Sequence, residues 1–217
     1  MINNYEFEQE LIDKGISLIA GVDEVGRGPL VGPVVVAAVI LPVGYKLEGL
    51  TDSKKLSIKK REYFYDIIMR DAIAVSTYSV SEKIIDEINI YEATKVAMKE
   101  AIKSLKVKPE HVLIDAMKLD IDIPSTSIIK GDLKSLTISA ASVIAKVTRD
   151  RMMIELDKQY PMYGFKRHKG YPTKEHLENL EKYGILDNYR LSYKPVSKFI
   201  DKEGSGKVEQ NKETIKQ

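Results

Sequence analysis

Two apolar, β-branched runs, Leu18–Val22 and Val34–Leu41, flank a stretch that holds Gly26, Gly28, Pro29, Gly32 and Pro33. Runs bounded in this way are strands joined by a tight turn. A third run, Ile73–Val80, alternates with a period of two, as a half-buried strand does. Ser57 caps an expected helix to about Arg70, with Ile58, Tyr63, Ile67 and Ile68 inward and Lys59, Lys60 and Arg61 outward. A further helix from about Tyr91 to Leu105 feeds His111–Ile114, a short apolar run that stops at Asp115. Strand, helix and strand in that order indicate an α/β fold.

Thr126–Ile129 is expected to add one more short strand. Ile138–Gln159 lacks glycine and proline and carries Ala141, Ile144, Ala145, Met152 and Leu156 at helical spacing. It should be the longest helix, with Lys146, Arg149 and Arg151 on its polar stripe. Thr173 caps a later helix that Gly184 stops after Tyr183. Residues 1–16 suit a short amphipathic helix ended by Gly15. From Asp201 onward there is almost no apolar content to bury, so 201–217 is expected to be a disordered polar tail on a single domain spanning 1–200.

The chain has no cysteine, which removes disulfides, zinc–thiolate sites, iron–sulfur clusters and thiol nucleophiles. No stretch approaches 18 uninterrupted apolar residues, and Met1–Glu6 lacks the basic and apolar regions of a signal peptide. A cytoplasmic protein without a membrane partner is expected. The formal net charge of +2 hides an asymmetry, because residues 130–200 hold 14 Lys and Arg against 8 Asp and Glu. Tyr160, Tyr163, Phe165, Tyr171, Tyr189 and Tyr193 are interleaved with these charges. That pattern suits either a solvated helical surface or one that meets phosphates and stacks on sugars or bases.

Four acids mark the chemistry. Asp23 and Glu24 follow Leu18–Val22, Asp115 follows Val112–Ile114, and Asp132 follows Ile128–Gly131. The carboxyl ends of strands are where ligands bind in open α/β sheets, so strand-terminal acids from distant segments can converge there. One such acid alone is commonly a turn residue or a helix cap. Four without cysteine or histidine nearby form a hard-oxygen set suited to Mg²⁺ or Mn²⁺, and they repel one another unless a divalent cation neutralises them. Neighbouring residues on a regular strand point to opposite faces. Asp23 and Glu24 thus share one metal only if Glu24 swings round at the strand end or offers its backbone carbonyl.

The segment Gly26–Gly32 invites comparison with a dinucleotide fingerprint, but Pro29, Pro33 and Val34–Val36 oppose the helix that such a site needs. No organic cofactor is expected. Glycines there permit either close approach of backbone amides to a ligand oxygen or a turn with positive φ. Ser53 and Lys54 stand in a polar loop before a helix, where they either cap it or grip a phosphate. Of His111, His168 and His176, only His168 lies in a context that suggests a polynucleotide contact loop.

Taken in order, Gly21–Pro29 (Gly-Val-Asp-Glu-Val-Gly-Arg-Gly-Pro), Asp52–Leu56 (Asp-Ser-Lys-Lys-Leu), Leu113–Ala116, Lys130–Asp132 with Ser135 and Ile138–Ser142, Ala145–Asp150, His168–Tyr171 and Arg190–Val196 resemble the bacterial ribonuclease HII family over about residues 16–200. The resemblance implies a ribonuclease H-like fold, a mixed central β-sheet flanked by helices, with a helical C-terminal part from about residue 137. It implies an endonuclease that cuts the RNA strand of RNA–DNA hybrids and incises 5′ of single ribonucleotides in duplex DNA, in ribonucleotide and RNA primer removal. By motif, Asp23, Glu24, Asp115 and Asp132 are then the catalytic, metal-binding carboxylates for two divalent ions. Gly26, Arg27 and Gly28 are the readers of the 2′-hydroxyl, Tyr171 stacks on the sugar 3′ of the ribonucleotide, and Ser53 and Lys54 contact substrate. A monomer is expected. The competing reading is a non-catalytic protein that binds RNA–DNA duplexes, which metal-dependent strand cleavage would separate from a nuclease.

Overall fold

The computed structural model describes residues 4–50 and 53–203. Its core is a five-stranded sheet in the order β3-β2-β1-β4-β5, built from β1 (Ile19–Val25), β2 (Val34–Ile40), β3 (Ala74–Val80), β4 (His111–Asp115) and β5 (Ser125–Ile128). The first three strands form an antiparallel meander, whereas β4 runs parallel to β1 and β5 runs parallel to β4. The sheet is therefore mixed, as expected. β1 continues through Asp23 and Glu24 instead of stopping before them, because its pairing with β2 runs as far as Val25.

Every residue of β2 is buried, and the two faces of its apolar run serve two layers. Val34, Val36, Ala38 and Ile40 pack with Ile85, Ala93, Ala97, Met98 and Ala101 of α3 (Glu82–Lys103). Val35, Ala37 and Val39 pack against Phe64 and Ile68 of α2 (Ile58–Asp71) and Ala140, Val143, Ile144 and Val147 of α5 (Leu136–Gln159). A strand buried on both sides reads as a continuous apolar run. α5 crosses β1 so closely that a Cβ on Gly21 would lie 2.1 Å from the carbonyl carbon of Thr137. Glycine at position 21 is what lets the longest helix lie on the central strand.

The helices refine the sequence reading in several places. Ser57 caps α2 through the Lys60 amide as expected, but Ile58 and Tyr63 are exposed and the inward residues are Phe64 and Ile68. Arg61 turns back to donate to the carbonyls of Ser53 (3.0 Å) and Leu56 (2.6 Å). α3 starts well before Tyr91 and breaks at Asn89, whose φ is 67°. The Asn89 side chain caps the second half by accepting from the amides of Tyr91 and Glu92. Arg149 is not on a polar stripe but wholly buried.

At the N-terminus, α1 (Glu6–Ile12) sends Glu8 to accept from Ser135 Oγ and the Thr137 amide at the start of α5. The short α4 (Gly131–Lys134) carries Asp132. Beyond α5, a 3₁₀ turn (Pro161–Tyr163), α6 (Phe165–His168), α7 (Lys174–Tyr183) and α8 (Lys194–Glu203) make the helical C-terminal part. Thr173 caps α7, and Gly184 ends it. This part has its own apolar cluster, in which Met153, Tyr163, Phe165, Leu180, Tyr189 and Val196 enclose Leu30 and Val31 from the turn after β1. Helix α8 continues three residues into the stretch expected to be unstructured, while 204–217, like Thr51 and Asp52, lies outside the described residues. Among the described residues no helix is long and apolar enough to cross a membrane.

Candidate active site

Parallel register between β1 and β4 pairs Val22 with Ile114, so Asp23 and Asp115 are the next residues on two adjacent strands. Asp23 faces α5. It is buried, its carboxylate takes the Glu24 amide at 2.7 Å, and the Ser142 hydroxyl of α5 bonds to it. Burial raises its pKa well above the usual carboxylate value, and the charges of Glu24 and Asp115 push it the same way. Glu24 is also raised, first by burial and then by Asp115, against the opposing influence of Arg27 and Lys54. Its carboxylate lies 3.6 Å from Arg27 Nη1. Side-chain charge from both neighbouring acids is thus felt at one place, although strand alternation separates them.

Asp115 is half-buried and accepts the Gly131 amide at 2.7 Å. A Cβ at Gly131 would lie 2.6 Å from Ile138, so glycine there lets the chain approach Asp115. The next residue is Asp132, half-buried, whose carbonyl takes the Ser139 hydroxyl at 2.8 Å. Backbone on both sides of this contact is left-handed, with φ 47° at Ala116 and 58° at Lys130. For non-glycine residues such angles are uncommon and mark a constrained site. Among the described residues no three acid or histidine side chains are already closed up into a metal cage. The like charges of Asp23, Glu24 and Asp115 raise the pKa values of Asp23 and Glu24, a repulsion that a divalent cation would relieve. An all-oxygen donor set under that repulsion fits a hard cation.

Ser53 and Lys54 reach the site differently. The Ser53 hydroxyl is buried and bonds Ser142 Oγ at 2.8 Å, so it supports Asp23 through Ser142. Lys54 is exposed, and its charge lowers the pKa of Glu24.

The turn after β1 forms the other wall. Gly26 has φ +96°, and a Cβ there would lie 2.3 Å from Arg149 Nε. Gly28 faces the Tyr171 ring, 3.5 Å from where its Cβ would be. Tyr171 is 38% exposed, and the Leu30 amide ties the turn to the carbonyl of Gly170 at 2.8 Å. Exposed Gly28 and Tyr171 thus share one surface and exposed Arg27 reaches Glu24, while Gly26 is buried against Arg149. His168 is buried rather than offered to a ligand: its Nδ1 accepts the Gly170 amide and its Nε2 donates to the Tyr163 carbonyl at 2.8 Å. It stacks on His176 with ring centroids 4.3 Å apart. His176 donates to the Tyr171 carbonyl and accepts from Tyr189. These histidines are the frame of the Tyr171 loop.

Sequence reasoning missed Ser142, Gly131 and Arg149 as supports of this site. Each lies in a segment that resembles the family, yet only membership of those segments marks them, because their roles depend on contacts with the turn and with the acids.

Acid chemistry of this kind at the centre of a mixed five-stranded sheet, walled by a basic helical part, defines a hydrolytic nuclease of ribonuclease H-like fold. The model of the ribonuclease HII family matches residues 20–196. Ribonuclease HII of Bacillus cereus is 59% identical over 197 residues, covering 91% of this chain and 77% of that protein. That of Bacillus cytotoxicus is 60% identical over 195 residues, covering 90% and 75%. Among solved structures, ribonuclease H2 from Pyrococcus horikoshii OT3 superposes with a TM-score of 0.75 at 28% identity, covering 85% of this chain and 97% of that one. The chain belongs to the ribonuclease HII family, whose members are endonucleases that hydrolyse the RNA of RNA–DNA hybrids.

Proposed function

We propose that the site incises on the 5′ side of a single ribonucleotide embedded in duplex DNA, as well as within longer hybrid tracts, leaving 3′-hydroxyl and 5′-phosphate ends. Such an activity serves removal of misplaced ribonucleotides and RNA primers in the cytoplasm, carried out by a monomer. What carries the reading is that the Gly26–Gly28 turn follows Asp23 and Glu24 directly in the chain, with Arg27 3.6 Å from the Glu24 carboxylate and Gly28 against the Tyr171 ring. A site that needs a sugar hydroxyl next to the scissile phosphate requires that juxtaposition.

Asp23, Glu24, Asp115 and Asp132 would hold two divalent ions, Mg²⁺ or Mn²⁺. The chemistry such ions supply when bound is activation of water and neutralisation of charge on the leaving 3′-oxygen. The protein's own groups do the rest. Ser142 and the Glu24 amide hydrogen-bond the Asp23 carboxylate and so oppose, without overcoming, the burial and like charges that raise its pKa. The glycine turn brings backbone groups within reach of the 2′-hydroxyl, and a site built to bond that group rejects deoxyribose by leaving polar groups unpaired. Tyr171 offers its ring to the sugar on the 3′ side, and exposed Arg27 and Lys54 face the phosphate backbone.

The direct test is a DNA duplex with one ribonucleotide, incubated with Mg²⁺, with Mn²⁺ and with chelator, and the cut mapped. Metal-dependent incision 5′ of the ribonucleotide is expected. Cleavage confined to longer RNA tracts overturns the single-ribonucleotide reading, and binding without a cut overturns the catalytic one.

A further inference from the structure

Two arginines, Arg149 and Arg190, are wholly buried, and among the described residues neither comes within ion-pair distance of a carboxylate. They end on backbone carbonyls of the turn. Arg190 Nη2 donates to the carbonyls of Gly26 and Gly32, each at 2.6 Å, and Nη1 donates to that of Arg27 at 3.1 Å. The Tyr193 hydroxyl accepts from Arg190 Nη1 at 3.1 Å and donates to the same Arg27 carbonyl at 2.6 Å. Arg149 holds the far side, donating to the carbonyls of Val31 (2.9 Å), Pro33 (3.0 Å) and Lys169 (2.9 Å). The last of these lies in the loop that bears Tyr171.

Taking a guanidinium out of water without a counter-ion costs several kcal/mol, which apolar packing would avoid. What the planar fork provides instead is geometry, because several donors in fixed directions set the orientation of several carbonyls at once. An orientation imposed on the carbonyls of Gly26 and Arg27 is imposed equally on the amides of Arg27 and Gly28, since each peptide is planar.

We propose that Arg190 and Tyr193 are positioning residues for sugar selection, locking the peptides of the Gly26–Gly28 turn in the orientation that accepts a ribose hydroxyl. This rests on the reading that the turn meets the 2′-hydroxyl. Arg149 acts in the same device by fixing the spacing between the turn and Tyr171. Sequence separation hides the arrangement, for Arg190 and Gly26 are 164 residues apart.

The experiment measures binding of the full chain, in chelator so that nothing is cut, to two duplexes of one sequence, one all DNA and one with a single ribonucleotide. Tyr193→Phe removes only the hydroxyl and keeps the ring that lies over Arg190. The native chain prefers the ribonucleotide duplex, and Tyr193→Phe should reduce that preference about fivefold, the scale of one lost hydrogen bond. Its affinity for all-DNA duplex should stay unchanged, and its melting temperature should fall by no more than a few degrees, the cost of about one hydrogen bond. Arg190→Lys, which replaces a fork by one point donor, should reduce the preference further. A preference that survives in folded Tyr193→Phe, or an equal loss of affinity for both duplexes, overturns the inference alone. Absence of any preference in the native chain overturns the reading of the turn, and the inference with it.

Discussion

Asp23 and Arg190 are both buried charges beside the same turn, and they are satisfied in opposite ways. Asp23 has like charges for neighbours, Glu24 and Asp115, and burial and repulsion together hold its pKa high. Arg190 has carbonyls and a tyrosine hydroxyl on its donors, and nothing is left for it to gain from a ligand. Burial lowers the pKa of Arg190, and that of its companion Arg149 to about 10, which leaves both charged at neutral pH. The acid end is electrostatically unfinished and waits for something positive. The turn wall is complete before substrate arrives. Catalytic centres store instability where chemistry occurs, and recognition walls are rigid because ordering them during binding would cost affinity.

The sharpest way to break this contrast is to neutralise an acid. Asp23→Asn should abolish metal-dependent incision, by on the order of 10³-fold or more, since charge stabilisation worth several kcal/mol is lost. Thermal melting should be unchanged or higher because a repulsive buried charge is gone. Retained activity, or a large fall in melting temperature, would place Asp23 in the frame instead of the chemistry.

Acid should act on the two regions with opposite sign. His176 is pushed to about 4, first by burial, and His168 is lowered for the same reason. Each is folded as the neutral form, so their contribution to stability is complete above the unfolded value near 6.5 and is lost as pH falls from there towards 4. For His176 that loss reaches about 3 kcal/mol. Asp23 and Glu24 have raised values, so the same acidification relieves the strain at their end. Melting measured across pH 7 to 4 should fall, and His176→Gln should flatten the curve; an equally steep curve in that variant would remove the histidine pair from the explanation. Because His176 holds the Tyr171 carbonyl, the turn wall is the part that should loosen.

A smaller effect sharpens the role of the wall itself. Tyr171→Phe should cut nearly as well as the native chain, while Tyr171→Ala should lose roughly tenfold in kcat/KM, the scale of one stacking contact. Equal rates for the two variants would show that the ring does not stack.

Much of this molecule can be read from local pattern. The period-two run of β3, the apolar run of β2, the caps at Ser57 and Thr173 and the stop at Gly184 all depend on contacts within a few residues, and each lies close to where the sequence puts it. Asp115 is legible for the same reason, since it closes β4, whereas β1 runs on through Asp23 and Glu24 to Val25 and Asp132 lies in α4. The tail beyond residue 203 lies outside the described residues.

What tertiary structure alone decided is which of these groups meet. Asp23 adjoins Asp115 only because β1 and β4 pair in one register, and Arg149 leaves a helical stripe for the interior only because the turn carbonyls need donors there. His168 belongs to the frame because His176 lies flat against it. Periodicity and caps follow from the chain's own next few residues, whereas the partner of a buried charge is chosen by packing between segments more than a hundred residues apart, and no local pattern encodes that choice.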